Sequence, residues 1–104
     1  MSDKKFVHVV NFWLKKDLSE ADVKKFEAGL KSLEKVPSLI YFNVGVPAVT
    51  DRPVIDRSYS YSLLTVFKDD AGHDAYQVDP VHLKFVEECK PFWEKVLIYD
   101  SVSV

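Results

Sequence analysis

The chain holds a single cysteine, Cys89, in 104 residues. A lone thiol excludes an intrachain disulfide framework and any zinc site built from several cysteines. Glycine is nearly as scarce: Gly29, Gly45 and Gly72 are the whole complement. No Gly-rich loop is present to cradle a phosphate, so no nucleotide cofactor is expected. Neither sign of charge dominates. Fourteen Lys plus Arg stand against sixteen Asp plus Glu, for a net charge of −2. That balance lacks the basic field of nucleic-acid and anionic-membrane binders, and neither partner is expected. Charges also interrupt every apolar stretch well short of the roughly 18 residues a membrane span needs. The polar start, Met1-Ser2-Asp3-Lys4-Lys5, leads into no signal-peptide core, and the expected location is the cytoplasm.

What is present is ordinary globular material. Hydrophobic residues make up 47% and charged residues 29%, which argues against disorder. The length suits one domain over residues 1–104, since domains most often run to about 100–150 residues. There is no internal repeat, low-complexity run or interior linker. The loosest stretch, Val46 to Arg57, contains Pro47, Thr50, Asp51, Pro53 and Asp56 and reads as a long surface loop.

Phe6 to Leu14 (FVHVVNFWL) reads as a strand, rich in β-branched and aromatic residues. One face carries Phe6, His8, Val10, Phe12 and Leu14; the other carries Val7, Val9, Asn11 and Trp13. Ser19 is an N-cap, with Asp22 three residues on. Val23, Phe26, Leu30 and Leu33 then make one helical face, and Glu20–Lys24 and Glu27–Lys31 stand outward at i,i+4. Pro37 stops this helix. Leu39 to Val44 and Tyr59 to Phe67 read as the next two strands. Asp69 or Asp70 caps a short helix through Tyr76, and Asp79-Pro80 restarts it. Val81, His82, Phe85, Val86 and Cys89 form its buried stripe, Pro91 breaks it, and Val96 to Val102 is the last strand.

This order, β-α-β-β-α-β, is the ferredoxin-like plan of α+β domains, with helices on one face of a four-stranded antiparallel sheet. The other face is apolar as well. A bare apolar sheet is larger than a monomer tolerates, so a homodimer through the sheet face, a dimeric α/β barrel, is expected.

His8-Val9-Val10 with Phe12 and Lys15, the segment Tyr76-Gln77-Val78-Asp79-Pro80-Val81-His82, and the closing Phe92-Trp93-Glu94-Lys95-Val96-Leu97-Ile98-Tyr99-Asp100 resemble the stress-responsive dimeric α/β-barrel (Dabb) family. The resemblance runs from about Phe6 to Asp100. It implies a homodimer whose two sheets face each other. The family includes plant stress proteins and a plant polyketide cyclase. There, a His on the last helix is the base, a Tyr on the preceding turn assists, and a strand-one His lines the pocket. These positions fall on His82, Tyr76 and His8. Asp79 stands where the family often has a second His.

Read as chemistry, a neutral His82 suits a general base, Tyr76 suits donation to a substrate carbonyl, and His8 on an apolar strand face needs a polar partner. Each has a plain alternative: packing residues with satisfied hydrogen bonds. His73 is expected to face solvent, and Cys89 to sit in the core. His8, Asp79 and His82 amount to two imidazoles and a carboxylate, but their spacing fits no compact metal motif, and no metal is expected. Aromatics, at 13%, offer walls for a flat apolar ligand. Two functions follow. One is a small-ligand pocket lined by His8, Tyr76 and His82, with cofactor-free acid–base chemistry of cyclase or lyase type, or cofactor-independent oxygenation. The other is a non-catalytic, stress-related binding or structural dimer.

Overall fold

The structure, a computed structural model, describes residues 4–104. Strand β1, Phe6–Leu14, alternates as a pleated segment should: His8, Val10 and Phe12 are buried, and their neighbours are only partly so. It lies between two antiparallel partners, β3 (Tyr61–Phe67) and β4 (Trp93–Val102). Strand β2 (Leu39–Gly45) pairs with β3, giving the antiparallel order β2-β3-β1-β4. This is the expected ferredoxin-like fold. The register places His8 opposite Thr65 on one side and Asp100 on the other.

Three strand limits differ from expectation, and the smallest difference is that β2 runs one residue further, to Gly45. Strand β3 begins at Tyr61, not Tyr59. Ser60 instead donates its backbone N–H to Phe12 O at 2.7 Å and accepts from Leu14 N on its hydroxyl at 3.0 Å. Strand β4 begins at Trp93, because a 3-10 turn over Lys90–Phe92 delivers the chain directly onto the sheet.

Helix α1, Glu20–Ser32, starts at Ser19, whose hydroxyl accepts from Asp22 N at 3.1 Å. It ends earlier than Pro37 requires, its last turn tightening to 3-10 geometry over Leu33–Lys35. Phe26, Leu30 and Leu33 lose all exposure against the sheet, which stabilises the fold by roughly 1.5–3 kcal/mol per side chain. Tyr61 ties β3 to this helix. Its hydroxyl donates to Glu27 Oε1 at 2.8 Å, and burial, then the Glu27 carboxylate, pushes the phenol up to about 12.

The second crossover holds two helices, α2 (Asp70–Val78) and α3 (Pro80–Cys89). Asp69 caps the first through Gly72 N at 2.9 Å, and Asp79 caps the second through Val81 N at 2.9 Å. Gly29 sets how closely α1 meets α3: a Cβ there would stand 2.6 Å from Cys89 Sγ. Of the expected α3 stripe, Phe85 and Cys89 are buried, while Val81, His82 and Val86 are partly buried.

Cross-strand partners share a sheet face. Val7, Val9, Leu64 and Val66 therefore form one continuous apolar face that is only partly buried. Tyr41, Leu97 and Tyr99 extend it and are exposed. The Val46 to Arg57 segment is an irregular loop, with Val49 and Val54 largely exposed. Just beyond it, Ser58 accepts from Trp13 Nε1 at 3.0 Å, so the loop's end is anchored to strand β1.

Candidate functional site

A polar ring on an otherwise apolar strand face needs a partner, and His8 has one. It is 3% exposed, and its Nδ1 lies 2.5 Å from Asp100 Oδ1. The carboxylate only accepts, so His8 Nδ1 is the donor of this bond. The backbone is fixed too: the buried Thr65 hydroxyl donates to His8 O at 2.9 Å.

His82 is the third residue of α3, and its position follows from the Asp79 cap. The last carbonyls of α2 have no helical acceptor role left, and His82 Nδ1 donates to one of them, Gln77 O, at 3.2 Å. That bond leaves Nε2 as the basic nitrogen. Burial holds the imidazole below its ordinary value; Gln77 O pulls it up, the His8 and His73 rings push it down, and Asp79 raises it. His82 is therefore neutral at neutral pH, the form a general base requires.

Tyr76 stands between the two imidazoles. Its ring centroid is 4.6 Å from that of His82 and 6.0 Å from that of His8. It is 1% exposed, and burial raises its phenol, which stays a proton donor. His8, Tyr76 and His82 all line one cavity of about 180 Å³ between the sheet and helices α2 and α3. Its other walls are mostly apolar, among them Val10, Phe12, Leu63, Phe85, Trp93 and Ile98. The three residues singled out from sequence thus share one concave, mainly apolar space. A larger groove of about 310 Å³ between α1 and α3 is walled by Lys25, Lys35, Lys84 and Glu88 and holds none of them.

His73 does not face solvent as expected. It is half-buried on α2, stacked on Phe6 at 4.2 Å between ring centroids and 4.7 Å from His8. Gly72 lets the start of α2 lie close to β3: a Cβ on it would stand 3.3 Å from Phe67 Cβ. The set His8, Asp79 and His82 is also divided. Asp79 caps α3, while His8 is grouped with His73 and Asp100. Cys89 is 2% exposed and burial pushes its thiol up, which fits the core and not a nucleophile. Sequence reading missed Asp100, Gln77 and His73. For Asp100 the signal was the strand register, which pairs the last strand's aspartate with the first strand's histidine.

Residues 6–103 match the stress-responsive A/B barrel domain, the Dabb family. The chain belongs to this family. Comparison with the curated proteins gives no match. Among solved structures, the chain is similar to a Dabb family protein with a ferredoxin-like fold from Mesorhizobium loti, at 27% identity and a TM-score of 0.78, covering 97% of this chain and 98% of that one. A dimeric ferredoxin-like protein from Jannaschia shares 25% identity, with a TM-score of 0.71 and coverage of 96% and 99%. A hydroxynitrile lyase from Passiflora edulis shares the fold at 21% identity, with a TM-score of 0.80 and coverage of 99% and 96%. Among the described residues, no helix of this Dabb protein is long and apolar enough to cross a membrane.

Proposed function

We propose that this Dabb protein is a cytoplasmic homodimer that binds a compact carbonyl-bearing or aromatic molecule and acts on it by cofactor-free acid–base chemistry. The dimer reading is supported by the open apolar face around Val9, Leu64 and Tyr99, and by the Jannaschia protein of the same fold being described as dimeric. Joining two such faces removes both from water.

One observation carries the chemistry: two imidazoles and a buried phenol line the same apolar cavity, and each imidazole has its Nδ1 committed to an oxygen. His82 Nε2 takes a proton from the carbon next to a substrate carbonyl. The electron pair moves onto the carbonyl oxygen, and Tyr76 O–H donates a hydrogen bond to it there. His82 then returns the proton to carbon or to a leaving group. A base so placed contributes about 10²–10⁴-fold. His8, oriented by Asp100, presents its Nε2 as a second polar group that fixes the ligand. At about 180 Å³ the cavity is smaller than the roughly 300–1,000 Å³ that takes drug-sized ligands, so the substrate is small. A fold shared with a hydroxynitrile lyase is compatible with catalysis but does not assign it.

The test is a panel of small aromatic and β-dicarbonyl compounds, with binding measured on the wild type and on His82→Gln. The reading expects one compound class to bind, and the variant to lose turnover while keeping its dimer mass. A variant that differs from wild type only in melting temperature would favour the structural dimer with packing histidines.

A further inference from the structure

We propose that His8, His73 and Asp100 form a binding site for one divalent transition-metal ion. The three come from separate elements, β1, α2 and β4. Each offers one donor atom, and the three atoms lie within 4.8 Å of one another. An ion with bonds of about 2.0–2.2 Å holds neighbouring donors roughly 3–3.5 Å apart, so modest side-chain shifts close the site. Two imidazoles and one carboxylate leave further coordination positions open and select zinc, cobalt, nickel or ferrous iron. Magnesium and calcium, which prefer all-oxygen sets, are disfavoured.

The surroundings orient the donors. The Gln77 amide nitrogen donates to His73 Nε2 at 3.1 Å, which puts the ring proton on Nδ1; ligation through Nδ1 moves that proton to Nε2, where the Gln77 amide oxygen accepts it once the amide turns over. Phe6 stacks on the same ring, and Thr65 fixes the His8 backbone. Such outer contacts hold ligand rings in place in metal sites. The Asp100 side chain is 42% exposed, so the ion has a path from solvent. It takes the place of the proton that His8 Nδ1 holds toward Asp100 Oδ1, and His8 ligates as a neutral imidazole with its ring proton on Nε2. The N···O contact of 2.5 Å then opens to about 3 Å, a movement that exposed strand β4 permits. The site touches the cavity through His8 alone. Tyr76 and His82 lie outside it, so it stands or falls separately from the acid–base reading.

The experiment adds Zn²⁺ to tag-free protein in a calorimetric titration and Co²⁺ in a visible-absorption titration. The proposal expects one ion per chain. His73→Ala and Asp100→Asn should each weaken binding by at least about tenfold, and His82→Ala should bind as the wild type does. In the wild type alone, Zn²⁺ should move the ring ¹⁵N signals of His8 and His73 and leave those of His82 in place, which keeps the test decisive if a variant misfolds. No saturable Zn²⁺ binding, unchanged affinity in both site variants, or ring shifts centred on His82 would each overturn it.

Discussion

Asp100 and His8 stand opposite each other on β4 and β1, with Oδ1 and Nδ1 2.5 Å apart. The pair is lopsided: the imidazole is buried while the carboxylate is partly open to water. Asp100→Ala therefore leaves a buried N–H with only water as a partner. The expected loss is about 1 kcal/mol, at the low end for an unsatisfied buried donor because solvent reaches the site. Urea denaturation of the variant checks this. A loss of several kcal/mol would mean that Asp100 also holds the sheet edge in some other way.

His82 makes stability depend on pH with a definite sign. In the folded chain its imidazole is held below the ordinary value of about 6.5, first by burial. The groups around it are Tyr76, Gln77 O, His8, His73 and Asp79. Between the two values the unfolded chain binds a proton that the folded chain does not. Stability therefore rises with pH through that interval and levels off above about 6.5. Melting temperatures measured from pH 5 to 7.5 should climb, and His82→Gln should flatten the climb. An equal slope in the variant would contradict the assignment.

Gly29→Ala separates helix propensity from packing. In an isolated helix the change gains about 1 kcal/mol. Here the new methyl meets Cys89 Sγ at 2.6 Å and Phe85 Cδ1 at 3.2 Å. Both neighbours are buried, so α1 and α3 must separate. A net destabilisation of about 1–3 kcal/mol is expected by chemical denaturation. A more stable variant would show that the α1–α3 contact yields easily.

Val9 sits at the centre of the open sheet face, opposite Leu64 on β3 and Tyr99 on β4. Val9→Lys places a charge where two sheets are proposed to meet. Light scattering after size exclusion should report the mass of a dimer for the wild type and of a monomer for the variant. A dimeric variant would move the interface elsewhere on the molecule.

Local signals were readable in the sequence because their causes are local. Ser19, Asp69 and Asp79 cap their helices through bonds spanning two or three residues, and Pro80 follows its cap directly. The alternation in Phe6–Leu14 placed His8 on the buried face correctly. The convergence of His8, Tyr76 and His82 depended on the β-α-β-β-α-β order, which was also legible. What failed was long-range. The β1–β4 register links positions 92 residues apart, and nothing near Asp100 announces its partner. His73 looked exposed because it lies just inside a polar helix start. Its burial comes from Phe6, across the sheet, and no periodicity within α2 reports that contact.

The most direct test of the central claim, that His8 and His82 face one ligand cavity, is a ¹⁵N NMR titration of the imidazole signals with the compound panel. The account predicts that one class of compound shifts the Nε2 signals of His8 and His82 together, with His82 in the Nδ1–H tautomer set by Gln77 O. If no compound moves either ring, the two imidazoles and Tyr76 are packing residues and the acid–base reading is wrong.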